Sequence, residues 1–263
     1  MEIVLVILAF FALVVLCFIF LTKPGKRKTA GSMTIPDSYK QHLIEKVQFY
    51  NNLDEIGKTS FETRMMRFLS RVRIVGIGTE VEDLDRVFIG ASAIIPIFNF
   101  DRWEYVNLNE VMVYPETFNT EFEQKGSDRS VMGMVGEGAM QQVMIISQPA
   151  LRQGFANQSD KHNTAIHEFV HLIDKTDGEV DGIPELLLRH RYIMPWLEMM
   201  LKNIRQIRKN DSDINPYGAT NQAEFFAVAA EYFFERPDLL ERKHPELYGM
   251  LAKMFGKTLN STS

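Results

Sequence analysis

The sequence predicts an α+β domain, mainly helical with a small sheet, preceded by one N-terminal transmembrane helix. Three observations predict it. Apolar residues recur at three- and four-residue steps over most of the chain, the period of helices with one buried face. Stretches between residues 108 and 147 show instead the alternation and glycine punctuation of strands. Ile3 to Leu21 is an unbroken apolar run, long enough at 1.5 Å per residue to span roughly 28 Å, about one hydrocarbon core.

The first element is that run, residues 1–22. A cleaved signal peptide carries its positive charge ahead of the apolar stretch. Here Met1-Glu2 precede it, and Lys23, Lys26, Arg27 and Lys28 follow. The positive-inside rule then places the cations and everything after them in the cytoplasm, as a single-pass anchor in an inner or plasma membrane. Cys17, the single cysteine, falls inside the run and excludes an intramolecular disulfide framework and any cysteine-based zinc site. Residues 23–36 read as a basic juxtamembrane linker.

The remaining 37–263 form the folded domain. With 263 residues in all, 46% hydrophobic and 24% charged, the composition is globular. A net charge of −5 does not suggest a nucleic-acid binder, which would normally show a basic face, so no nucleic-acid partner is expected. Tyr39, Leu43, Val47, Tyr50, Leu53 and Ile56 predict one amphipathic helix ending near Gly57. Thr59 and Glu62 have capping-box spacing for a second helix, with Phe61, Met65, Phe68, Leu69 and Val72 inward. A short strand is expected over Arg73 to Gly78, and a buried helix from Leu84 to Phe98. Leu108 to Tyr114 reads as a strand. Ser130 to Ser147 carries Gly133, Gly136 and Gly138 before Val143-Met144-Ile145-Ile146, predicting an irregular edge strand and then a regular one. The glycines fit turn geometry; the sharper reading is an edge that pairs with an extended peptide. A short helix follows at Pro149 to Ala156.

Asp160 or Ser159 is the expected cap of the next helix, which runs to about Asp174 and contains His167-Glu168-Phe169-Val170-His171. Residues four apart lie on one helix face, so both imidazoles can reach one metal ion, with Glu168 beside them as a base acting on water. Ile166, Phe169, Val170 and Ile173 give that helix an apolar face. Asp177 to Pro184 is a turn-rich loop. Helices are then predicted over Tyr192 to Lys209, Asn221 to Glu235 (ended by Pro237) and Pro245 to Phe255, with a turn at Asn215 to Gly218 and a frayed tail at residues 260–263.

A catalytic zinc takes three protein ligands and keeps one position open. Spacing leaves three candidates for the third. Asp177 stands six residues after His171, but Asp174 occupies the position where the extended motif needs a glycine for the sharp turn. Glu224 would complete a His, His, Glu set, or merely close its own helix with Asn221. Glu231, one heptad on, is a ligand or a partner that orients a ligand histidine. Asp174 shares the histidines' face and either orients an imidazole or ends the helix.

His167-Glu-Phe-Val-His-Leu-Ile-Asp174, the following Asp177-Gly-Glu-Val-Asp-Gly-Ile-Pro184, and the segment from Tyr217 through Glu224-Phe-Phe-Ala to Glu231-Tyr-Phe-Phe resemble the Mlc titration factor A family of zinc-dependent peptidases. The resemblance is strongest over about Leu151 to Phe255. It implies a zincin-like metallopeptidase domain, Zn²⁺ as cofactor, His167, His171 and Glu224 as ligands, and Glu168 as the residue acting on water. The apolar N-terminal run departs from the soluble family member that sequesters the repressor Mlc. The expected function is a membrane-anchored peptidase cleaving a peptide or protein by zinc-activated water, with Tyr217 as a candidate donor to the oxyanion. The alternative is a zinc-containing binding protein that sequesters a transcriptional regulator at the membrane.

Overall fold

A computed structural model describes residues 34–100, 102–118, 131–136, 141–157, 160–188 and 190–256. The expected transmembrane run and the frayed tail lie outside these residues. Among the described residues, no helix is long and apolar enough to cross a membrane.

The chain opens with α1 (Asp37–Lys46), a single turn α2 (Gln48–Asn51) and α3 (Glu55–Arg71). The single helix expected up to Gly57 is therefore broken. Val47 adopts an extended conformation at the break and is buried there, so core packing overrides the helical pattern. The next helix starts earlier than the Thr59 box suggested. Asp54 caps it by accepting from Gly57 N at 2.7 Å, and Thr59 lies inside, its hydroxyl donating to the Glu55 carbonyl.

Strand β1 (Arg73–Gly76), helix α4 (Asp83–Ile94) and strand β2 (Glu110–Tyr114) form a parallel crossover. Beyond β2 come β3 (Gly133–Val135) and β4 (Val143–Ser147). The sheet order is β1-β2-β4-β3, with β2 and β4 parallel and β3 antiparallel on the edge. Register places Val111 opposite Ile74 and Met144, and Met134 opposite Ile145. The irregular-then-regular pair of strands expected from the glycine stretch is what forms.

Helix α5 (Gln148–Ala156) leads into the motif helix α6 (Thr164–Asp174). The α6 cap is Asn163, whose side chain accepts from Ile166 N at 3.1 Å, in place of the expected Asp160 or Ser159. Asp160 instead accepts from His162 N, closing the turn one step earlier; Ser159 lies outside the described residues. Ala165, Ile166, Phe169, Val170, Leu172 and Ile173 are buried, and Phe169 packs edge-on against Phe68 at 5.6 Å. Each large aliphatic or aromatic side chain in that set contributes about 1.5–3 kcal/mol by leaving water, which fixes α6 in the middle of the core.

Helix α7 (Ile193–Arg208) and helix α8 (Gln222–Glu235) follow, and α8 lies directly against α6. Pro237 does not simply end α8. It opens an unanticipated helix, α9 (Pro237–Lys243), because proline is well suited to a first helical turn. The last helix is α10 (Pro245–Met254). The result is α+β and mainly helical, as the patterning predicts.

Candidate metal centre

Helical geometry alone brings the first two side chains together. His167 and His171, one turn apart on α6, present rings whose centroids are 4.7 Å apart, with Nε2 to Nε2 3.0 Å. Helix α8 supplies the third group. Asn221 caps α8 by accepting from Glu224 N at 2.9 Å, which fixes the first turn and turns the Glu224 carboxylate toward α6. Glu224 Oε2 then lies 2.9 Å from His167 Nε2 and 3.4 Å from His171 Nε2. The capping role and the clustering role of this segment are thus both real, divided between the backbone and the side chain.

These three atoms fit a tetrahedral metal ion. Bonds of about 2.0–2.1 Å separate ligand atoms by roughly 3.4 Å, close to the observed 2.9, 3.0 and 3.4 Å. Among the described residues, His167, His171 and Glu224 form a cluster of candidate metal-ligating groups. Two imidazoles and one carboxylate suit a borderline divalent ion such as zinc. Burial pushes the Glu224 carboxyl up, but hydrogen bonds and charge from both histidines outweigh it and hold it at about 2. The Glu224 oxygen is therefore kept ionised.

Glu231 lies on the other side of His167, not in the cluster. It is 1% exposed, with Oε1 2.6 Å from His167 Nδ1. Its Oε2 accepts from Asn163 N at 2.7 Å and lies 2.9 Å from His162 Nδ1. Burial raises this carboxyl, and the two histidines pull it back below the ordinary value. A carboxylate on Nδ1 fixes the tautomer and leaves Nε2 facing the cluster.

Glu168 points toward the sheet edge. It is 5% exposed, and a Cβ added at Gly133 of β3 would stand 2.7 Å from its Oε1. Only a glycine permits that approach of strand to carboxylate. Burial raises the Glu168 carboxyl above its ordinary value. Tyr217 sits at the open side, 54% exposed, its ring centroid 6.0 Å from that of His167.

Two acidic candidates fall elsewhere. Asp177 is exposed and outside the cluster; its carboxylate accepts from Glu179 N and Glu185 N and so shapes its own loop. Asp174 is fully buried, with Oδ2 accepting from Gly182 N at 2.8 Å. Sequence reasoning missed His162 and Asn163. Asn163 carries a visible signal, since a capping residue three before Ile166 outranks Asp160 by position. His162 carries none, because only the packing of α8 brings Glu231 to it.

A buried helix with two histidines one turn apart, joined by a glutamate from a second helix and flanked by another glutamate at a sheet edge, defines a metallopeptidase-like α+β protein. The chain belongs to the glucose-regulated metallo-peptidase M90 family, whose model matches residues 22–256. It is 28% identical over 243 residues to an uncharacterized protein of Synechocystis sp., covering 88% of this chain and 87% of that one. It is also 28% identical over 220 residues to Mlc titration factor A of Escherichia fergusonii, covering 76% and 80%. With Mlc titration factor A of Escherichia coli the identity is 25% over 226 residues, covering 80% and 82%.

Proposed function

We propose that this protein is a zinc-dependent peptidase whose domain, residues 37–263, is held at the cytoplasmic face of a membrane by residues 1–22 through the basic linker 23–36. The observation that carries the peptidase reading is the convergence of His167, His171 and Glu224 with the buried carboxylate of Glu168 beside them. Zinc held by those three groups would supply Lewis acidity toward water and toward a peptide carbonyl.

The chain's own residues supply the rest. Glu168 takes one proton from the attacking water as oxygen bonds to the carbonyl carbon, and delivers it to the amine nitrogen as the carbon–nitrogen bond breaks. Its burial strengthens its hold on a proton, which suits this second half. Tyr217 donates its hydroxyl to the developing oxyanion. Glu231 keeps His167 in the tautomer that presents Nε2. The edge strand β3 offers backbone groups to an extended peptide passing Glu168.

The test is Glu168→Gln in the full-length protein, assayed against a peptide library with zinc content measured in parallel. Zinc retained with cleavage abolished supports the reading; unchanged cleavage removes Glu168 from the mechanism. The name borne by several relatives, Mlc titration factor A, favours a second reading: a metal-containing protein that captures a transcriptional regulator at the membrane. Regulator capture that persists in Glu168→Gln, with no cleavage by the wild type, selects that reading.

A further inference from the structure

Asp174 closes α6 and is fully buried. One of its oxygens, Oδ2, accepts from Gly182 N at 2.8 Å. Among the described residues the other, Oδ1, is buried without a partner, and so is Nδ1 of His171. The two residues are three apart on one helix and so are neighbours on one face. A buried carboxylate oxygen and a buried imidazole nitrogen, each lacking a partner, are costly apart and complementary together.

Gly182 extends the link to the second helix. Its φ is +77°, and a Cβ there would stand 2.4 Å from the Gln222 carbonyl oxygen and 3.1 Å from Ala223 N. Its backbone therefore lies directly on the first turn of α8, one residue before Glu224. Trp196 Nε1 donates to the Gly182 carbonyl at 2.7 Å and pins the loop from the far side.

We infer that Asp174 is the positioning residue for two of the three ligands at once: Oδ1 accepts the Nδ1 proton of His171, and Oδ2, through Gly182, seats the turn of α8 that carries Glu224. The inference rests on the metal-centre reading above. It explains why a carboxylate stands here. An aspartate accepts from two N–H groups, whereas an asparagine accepts from one and opposes the other with its own N–H₂.

The experiment is a zinc titration of full-length protein against a chromophoric chelator, for wild type, Asp174→Asn, Asp174→Ala, His171→Ala and Glu224→Ala, with circular dichroism on each. Both Asp174 variants are expected to lose about 10–100-fold in zinc affinity while keeping wild-type helicity. In the zinc-loaded wild type, nitrogen-resolved NMR of His171 should show an Nδ1 proton protected from exchange, lost in Asp174→Asn. If the Asp174 variants bind zinc as the wild type does while His171→Ala and Glu224→Ala do not, the inference is overturned and the metal centre stands. If His171→Ala and Glu224→Ala also bind as the wild type does, the metal centre fails and takes the inference with it. Should the Asp174 variants fail to fold, the wild-type signal decides: a protected Nδ1 proton supports the link, and a freely exchanging one overturns it.

Discussion

Replacing Glu231 with glutamine tests how the centre is held without requiring any substrate. In the wild type, Oε1 faces His167 Nδ1 at 2.6 Å and Oε2 faces Asn163 N at 2.7 Å and His162 Nδ1 at 2.9 Å. All these neighbours are nitrogens, and Asn163 N can only donate. Glutamine keeps one oxygen and introduces an N–H₂. With the amide nitrogen toward His167, Nδ1 must become an acceptor, and its proton moves to Nε2, the atom facing Glu224 and His171. With the amide nitrogen toward Asn163, two donors meet in a fully buried place. Either way a charge-assisted bond is lost, and removing one partner of a buried pair costs about 3–5 kcal/mol. The first orientation also blocks the nitrogen that would bind the proposed ion, for an expected loss of about 10–100-fold in metal affinity. Urea denaturation and chelator competition read the two effects separately. An unfolding free energy within 0.5 kcal/mol of wild type (roughly the spread of neutral surface changes) together with unaltered metal affinity would refute this account of His167.

Three further outcomes follow from the same structure. Gly133→Ala puts a methyl 2.7 Å from Glu168 Oε1 and 2.9 Å from Thr164 Cγ2. The displaced carboxylate should slow peptide cleavage about 100-fold with zinc content intact, as steady-state kinetics and metal analysis will show. Asp213 receives Tyr232, Lys161, Lys243 and His244. Burial raises its carboxyl, but these partners hold it below the ordinary 3.8, so its contribution is present above that value and is lost as pH falls toward the folded-state pKa. Asp213→Asn should cost about 1–2 kcal/mol at pH 7, limited by solvent screening, and flatten acid unfolding below pH 4 in a fluorescence-monitored titration. Glu235 is pushed by burial from 4.5 to about 7, against the Asn163 hydrogen bond. Its raised value favours the fold below pH 4.5 and disfavours it as pH climbs through 7, so Glu235→Gln should raise the melting temperature at pH 8 more than at pH 5.

Local rules were enough for part of this structure. The four-residue spacing of His167 and His171 sets their rings together because the α-helix fixes that geometry regardless of what surrounds it. The glycine stretch marked β3 and β4, and the apolar face of α6 marked its burial. The third member of the cluster was not legible from spacing. Asp177, Glu224 and Glu231 are all acidic and all within reach of the motif in sequence, and only the seating of α8 on α6 separates them. That seating turns Glu224 to the Nε2 side of His167 and Glu231 to the Nδ1 side. Resemblance chose Glu224, while the loop-bound role of Asp177 appears only with its neighbours in place. The break at Val47 was missed for the same reason: burial of one valine outweighs a continuous helical pattern. The cap at Asp54 was local, an acceptor three residues ahead of Gly57 N, and the Thr59 and Glu62 spacing drew the boundary away from it.

Metal analysis by mass spectrometry of the purified full-length wild type, Glu224→Ala and Glu168→Gln probes the central claim most directly. The account predicts one zinc per chain in the wild type and in Glu168→Gln, and little in Glu224→Ala. Full zinc occupancy in Glu224→Ala, or a wild type that acquires none from a zinc-supplemented buffer, would contradict it.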